Sequence, residues 1–386
     1  MFWKYTSFES KLLLKNRKNW FIGVFLLLFF VLYFMYYQQI TPPTLHDQKS
    51  GEWGMAYAAF EYLDLTRHDI PEVAEVYDYY TEIASLVGMQ RWYIGNGNDS
   101  EQYVDNGLEI NRLRLIVDDL GNRGIPDHLI IPREEILKED AMLRYIKEND
   151  LPIESDSFAT NQHLTNVLGM FTGLLLLVIV LISGNELLVY ERKHHSVLKG
   201  FPISFMKKVT SKIAVHFIQL YIFLVFGFLF GVIYVANKLD ANEFSFPILV
   251  YKNENFIAVS TSEYLLYMFL GLALIIVLIL SLSVLFNMLF RNAFANILIG
   301  LGIFLLPDIA SAAGLKATFL HPIKYIDLTK VLSGDLATEL GNSSIDYWNA
   351  MATLGIITIV ILGTIFTINK LVYHRVPKDM PLEKAF

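Results

Sequence analysis

The 386-residue chain contains no cysteine, which excludes disulfides, thiol catalysis and cysteine-ligated metal. Charge is scarce too: Asp, Glu, Lys and Arg make up 18% of the residues, below the roughly 25% of an ordinary soluble domain. Enzyme signatures are missing. There is no Gly-x4-Gly-Lys-Ser/Thr phosphate loop, no His-Glu-x-x-His, no Gly-x-Ser-x-Gly and no EF-hand loop. The chain is therefore expected not to be an enzyme by itself and to carry no cofactor. His194-His195 has the look of a metal pair, but adjacent helical residues point about 100° apart and no third ligand is near, so no metal is expected either.

What is present is apolar residue: 54% of the chain, a mean hydropathy of +0.41, with 28 Phe and 21 Tyr. These residues collect in runs of roughly 18 to 25, the length a helix needs to cross about 30 Å of hydrocarbon. Six spans are expected, over 19–37, 164–188, 213–236, 264–290, 293–310 and 348–370. The first has a basic flank like a signal peptide, but it ends Tyr36-Tyr37-Gln38-Gln39 without a small-x-small cleavage site and reads as a retained anchor. The fifth is interrupted by Asn296 and Pro307-Asp308, and a short helix ending at Pro307 is expected there.

Lys and Arg set the orientation. The stretch before the first span has five bases (Lys4, Lys11, Lys15, Arg17, Lys18) against Glu9, and residues 186–212 have six against two. The tail 371–386, with Lys370 before it, carries Arg375, Lys378 and Lys384 against Asp379 and Glu383. The long segment 38–163 has 10 bases and 24 acids. Short basic loops stay inside, so both termini are expected in the cytoplasm and 38–163 outside, in a multi-pass cell-membrane protein. For an exposed outer domain the lack of cysteine favours a bacterial envelope. No nucleic-acid partner is expected.

The fold class expected is an all-α polytopic membrane protein, six transmembrane helices with a mostly helical extracytoplasmic domain between the first two. Residues 1–18 mix Tyr5, Phe8 and Leu12 to Leu14 with bases and read as an amphipathic helix on the inner leaflet. Within 38–163, Pro71 starts a helix to about Met89, and Asp99 with Gln102 caps one ending near Asp119. Pro132 with Glu134 and Glu135 starts a third, to about Lys147; Met55 to Leu63 is a further candidate. Asp127 to Ile131 is the one short-strand candidate. The outer segments 237–263 and 311–347 read as a loop and a re-entrant or interfacial region.

Between the second and third spans lies a basic elbow, 189–212, with Glu191, Arg192, Lys193, Lys199, Gly200, Phe201, Pro202, Ile203, Ser204 and then Lys212 opening the next span. The order Glu-Arg, Gly, Pro-x-Ser, Lys resembles the coupling helix of ABC-2 type transporter permeases. The His321-Pro322 stretch before the last span is similar to a second, weaker feature of that family. The resemblance implies the membrane subunit of an exporter that works with two copies of a separate ATPase carrying ATP and Mg, beside a second permease copy or a paralogue, in the lipid bilayer. It also implies that Phe201 and Ile203 seat in an ATPase groove, with Arg192, Lys193 and Lys199 facing acids. The insert 38–163 departs from compact members of the family. The alternatives from another class are an envelope scaffold or receptor, or a sensor of antimicrobial peptides.

Polar residues inside spans are the default functional candidates of a membrane protein, and they are few: His216, Gln219, Asn287 and Asn296. They read either as helix–helix hydrogen bonders or as lining a pathway. Gly227-x-x-x-Gly231 reads as a close-packing motif, with a dimer face one option. With no acid near the middle of any span, an amphipathic peptide or lipid-like cargo is expected, with sodium as the alternative.

Overall fold

The computed structural model describes residues 1–37, 44–66, 71–96, 99–153, 155–189, 191, 202–239, 247–290, 292–315 and 317–375. Most of these are helical. Helix α1 (Phe2–Lys15) is followed, across the single residue Asn16, by α2 (Arg17–Tyr37). Helices α3 (Leu45–Thr66), α4 (Pro71–Asn96), α5 (Ser100–Asp119) and α6 (Arg133–Glu148) form a separate helical unit. The bundle resumes with α7 (Ser155–Phe171), α8 (Leu174–Gly184) and α9 (Phe205–Leu239). A hairpin of β1 (Ile248–Lys252) and β2 (Asn255–Val259) leads into α10 (Thr261–Leu289) and α11 (Ala293–Ala312). Short helices α12 (His321–Lys324), α13 (Leu328–Ser333) and α14 (Asp335–Leu340) precede the long α15 (Tyr347–Arg375).

Five of these helices, α2, α9, α10, α11 and α15, are long and apolar enough to cross a membrane. Residues 164–188, expected as one span, form instead a pair, His163–Phe171 and Leu174–Gly184, bent by 44°. Counting that pair as one span gives six. The break falls at Gly173, whose φ of +73° is a conformation that residues with a Cβ rarely adopt. Helix α10 is the centre of the bundle, with 61% of its apolar window buried against 17% in α11 and α15. Its Met268, Leu272, Ile275, Ile276 and Ile279 are fully buried in one apolar cluster with Phe171 and Val180 of the bent pair.

Three local expectations are corrected. Helix α11 does not stop at Pro307 but runs through it to Ala312, the ring lying buried inside the helix. Asp127 to Leu129 is a 3-10 turn, not a strand. The strands lie instead in 237–263, where Ile248 to Lys252 pairs antiparallel with Asn255 to Val259 around Asn253 and Glu254, both at positive φ (+49° and +65°). Two such residues make the tight turn whose twist matches a hairpin.

The α3–α6 unit has its own apolar core, including Ala59, Leu63, Val76, Ile83 and Leu113. Asp99 caps α5, its Oδ1 accepting from the Gln102 N–H at 3.2 Å. Beside the core lies a buried charge cluster: Lys49 Nζ is 2.5 Å from Glu139 and 3.0 Å from Glu52, and Arg114 reaches the same two carboxylates at 3.4 and 3.3 Å. Burial opposes the Lys49 charge, but Glu139, Tyr103 and Glu52 outweigh it and hold its ammonium well above the usual range. The hairpin joins this unit to the bundle. The Lys138 ammonium of α6 lies 4.7 Å from the centre of the Phe256 ring, and Tyr251 donates its hydroxyl to the Ser343 carbonyl at 3.0 Å.

Candidate functional site

Helix α8 ends at Gly184 inside apolar surroundings, and the chain continues through 185–188 as turns. A helix C-terminus leaves its last carbonyls without helical partners. Two of the span asparagines supply them. Asn287 of α10 donates Nδ2 to the Gly184 carbonyl at 3.2 Å and to its own Ser283 carbonyl at 2.7 Å, and Asn296 of α11 donates Nδ2 to the Asn185 carbonyl at 3.4 Å. Gly184 makes the approach possible, since a Cβ there would sit 2.8 Å from Ser283 Oγ.

The same turn collects charge. Lys18, at the start of α2, donates to Asn185 Oδ1 at 2.7 Å and to Glu186 Oε2 at 3.0 Å. On α1, Tyr5, Glu9 and Leu13 recur every four residues and so share one face, which is buried against the base of α9. Lys212 of α9 donates to Glu9 Oε1 at 2.7 Å, with side chains only 3% and 9% exposed. It also lies 3.8 Å from Glu191, the first residue of the elbow motif. Tyr5 donates its hydroxyl to Glu191 Oε1 at 2.8 Å. Burial, and then the carboxylates of Glu191 and Glu9, push the Tyr5 phenol far above its ordinary range, so it stays a hydrogen-bond donor. Ser211 donates to Thr6 at 2.9 Å, His216 Nδ1 meets Ser183 Oγ at 2.9 Å, and Gln219 donates Nε2 to the Asn19 carbonyl at 3.0 Å.

Beside these groups, and lined by some of them, lies a cavity of about 370 Å³. Its polar wall includes Glu9, Lys15, Lys18, Asn19, Glu186, Lys212 and His216, and its apolar wall Leu12, Leu13, Leu187 and Val189. Asn19 is 2% exposed, and its Oδ1 meets no donor among the described residues.

His216, Gln219, Asn287 and Asn296, read from sequence as polar residues inside the spans, gather with Glu191 at one end of the bundle, the elbow end. Each makes a hydrogen bond to another segment. Of the other elbow residues, Pro202 and Ser204 are exposed and Ile203 is half-buried just before α9. Arg192, Lys193, Lys199, Gly200, Phe201 and the His194-His195 pair lie outside the described residues. Sequence reasoning missed Tyr5, Glu9, Lys18, Asn19 and Asn185 as parts of the site. The available signal was Glu9 itself, one acid at four-residue spacing between Tyr5 and Leu13.

A second polar cluster sits at the break of the bent pair. Thr172, 4% exposed, donates Oγ1 to Asp327 Oδ1 at 3.3 Å and meets Thr329 Oγ1 at 3.0 Å. A Cβ on Gly173 would lie 3.5 Å from the same carboxyl. Leu328, next to Asp327, packs on Gly271 of α10. At 1.5 Å per residue, Gly271 is roughly 15 Å along α10 from Thr261. A half-buried carboxylate, on the residue before a short helix rather than in a span, thus meets the break of the bent pair. Gly227 and Gly231 face α2 within the same chain: a Cβ on Gly227 would meet the Leu26 carbonyl oxygen at 2.1 Å, and one on Gly231 the Phe30 Cβ at 2.6 Å.

The fold and site define a predominantly helical protein with five or six helices able to cross a membrane, packed around α10 and joined by a charge network at the elbow end. No family model, curated protein or solved structure matches the sequence.

Proposed function

We infer that the chain is the membrane subunit of an ATP-driven exporter of the ABC-2 type, in a bacterial plasma membrane, with both termini and the elbow in the cytoplasm and the α3–α6 unit outside. It works with two copies of a separate ATPase and a second permease copy or a paralogue, and moves an amphipathic peptide or lipid-like molecule outward. The observation that carries this reading is the bonding of Glu191. Through Tyr5 and Lys212, the residue that opens the elbow motif is tied to both α1 and the base of α9. A push on the elbow from an ATPase would therefore reach two helices at once. Through Asn185, Asn287 and Asn296 the neighbouring turn reaches α10 and α11 as well. Small displacements at such a site are passed on because the packed helices around it deform little.

The test is docking. Replacing Gly200 with Trp, or Phe201 and Ile203 together with Asp, is expected to abolish co-purification with the ATPase while leaving membrane insertion intact, since neither change lies in a span. Undiminished co-purification would remove the elbow as the docking site. Orientation is tested separately in this cysteine-free chain. A membrane-impermeant thiol reagent is expected to label Ser100→Cys in intact cells and Ser196→Cys only after permeabilisation; the reverse pattern sinks the assignment of sides.

Asp327 favours a second reading, in which a cation is the cargo or the coupling ion. Acids that face the interior of a membrane bundle commonly mark ion pathways. Thr172 and Thr329 would add oxygen ligands at a broken helix, the geometry by which several transporters bind ions. With the complex reconstituted beside its ATPase, hydrophobic peptides or lipids are expected to stimulate ATP hydrolysis equally in sodium and in potassium. Stimulation that requires sodium and disappears in Asp327→Asn would replace the first cargo with the second.

A further inference from the structure

We propose that α1 docks anionic phospholipid headgroups of the leaflet at the elbow end, their phosphates against Lys4, Lys11, Lys15 and Arg17. The proposal requires only that the chain sits in a bilayer, not that it transports anything.

The first observation is unanswered charge. Residues 1–37 and 184–220 contain three acids, Glu9, Glu186 and Glu191. All three are spent within the chain: Glu9 takes the Lys212 ammonium at 2.7 Å, Glu186 takes Lys18 at 3.0 Å, and Glu191 takes the Tyr5 hydroxyl at 2.8 Å with Lys212 3.8 Å away. Lys4, Lys11, Lys15 and Arg17 are exposed and meet no carboxylate among the described residues. The same holds for Lys207 and Lys208, one turn before the Ser211 and Lys212 that hold α1. Residues 192–201, outside the described ones, add Arg192, Lys193 and Lys199 and no acid. An anion from outside the chain is what this surface complements.

The second is placement. At about 100° per residue, Lys4, Lys11 and Lys15 fall within about 40° of one line along α1. That line runs on the side away from the buried Tyr5, Glu9 and Leu13, so the ammonium groups face outward from the bundle as a row. Lys11 and Lys15, one turn apart, are close enough to share a phosphate.

The third is depth, which selects a lipid over an acidic protein. Only Asn16 separates Lys15 from Arg17, the first residue of a helix apolar enough to span a membrane. Lys15 and Arg17 therefore lie where a span meets the headgroups. Trp3 and Leu14, spaced to share the stripe beside the lysine row, are exposed at 79% and 54%. Trp20 and Phe21 are exposed at 50% and 75% at the start of α2, and Trp20 donates Nε1 to the Leu14 carbonyl at 2.7 Å. A helix with lysines on one stripe and exposed Trp and Leu on the next fits the boundary between acyl chains and anionic headgroups.

The experiment uses the full chain in nanodiscs holding phosphatidylglycerol and phosphatidylcholine in equal amounts, read by native mass spectrometry of the lipids that stay on the released protein. Phosphatidylglycerol is expected to be retained with about tenfold preference, and the preference is expected to shrink as salt is raised before release. The salt series needs no variant and so does not depend on one folding. Changing Lys4, Lys11, Lys15 and Arg17 together to Gln is expected to lower the preference by about threefold or more, and changing the three lysines to Arg is expected to keep it. Equal retention of the two lipids, a preference that salt does not weaken, or one that the glutamine variant leaves unchanged overturns the proposal. Equal retention together with loss of ATPase co-purification in the glutamine variant would assign the row to an acidic protein surface and overturn the lipid assignment.

Discussion

Lys212→Met is expected to lower the stability of the purified protein by about 3–5 kcal/mol, the usual consequence of removing one partner from a buried ion pair. Lys212 is 3% exposed and stands between two carboxylates, Glu9 at 2.7 Å and Glu191 at 3.8 Å. Without it, two like charges face each other, with the Tyr5 hydroxyl left to answer them among the described residues. Proteins have typically about 5–15 kcal/mol of stability in total, so the variant should melt far below the parent or accumulate poorly. Glu9→Leu combined with Lys212→Met removes one charge of each sign, and should recover part of the loss because Leu and Met fill similar space without needing hydration. Glu191→Gln added to that pair should recover more. Melting followed by loss of monodisperse protein on heating decides the matter. A single variant that melts with the parent would show that the pair does not hold α1 to α9.

The same site shows what one sequence can and cannot disclose. Runs of apolar residues reveal spans because the bilayer imposes length on every one of them. The Asp99 cap was legible because Asp99 and Gln102 are three residues apart. Glu9 and Lys212 are separated by 203 positions, and no local pattern distinguishes an acid that faces water from one that faces a buried lysine. The break at Gly173 was hidden for a related reason. One glycine in an apolar run is compatible with a continuous helix, and the Asp327 carboxyl that Thr172 bonds at the break comes from far along the chain. Pro307 misled in the opposite direction: proline usually ends a helix, yet here packing keeps α11 going to Ala312. The hairpin was missed because Ile248 to Val250 lacks the alternation of a half-buried strand. Asp327 was not singled out because a search confined to the spans does not reach the segment between them.

Gly227→Val is expected to prevent normal assembly of the bundle. A Cβ at this position would lie 2.1 Å from the Leu26 carbonyl oxygen, 2.9 Å from its carbon and 3.0 Å from Leu27 Cα, all backbone atoms of α2 that cannot swing aside as a side chain does. Non-bonded carbons rest about 3.5–4.0 Å apart, so the two helices would have to separate by roughly 1 Å even for alanine. Separation would loosen the packing of Leu26 and Phe30 on Leu224 and Phe228, including the edge-to-face pair of Phe30 and Phe228 with ring centres 5.5 Å apart. The Gln219 bond to the Asn19 carbonyl crosses the same seam and would lengthen with it. Gly227→Ala should therefore lower the melting temperature clearly, and Gly227→Val should leave little monodisperse protein. Gly363→Ala in α15 is the control, because a Cβ there meets nothing within 4 Å and alanine favours the helix by about 0.5–1 kcal/mol. The outcome also separates the two uses of closely spaced glycines. If Gly227 and Gly231 served a contact between two copies, Gly227→Ala would change the oligomeric state and spare the melting temperature. The contact with Leu26 places the effect inside one chain, so the melting temperature should fall whether or not the protein dimerises.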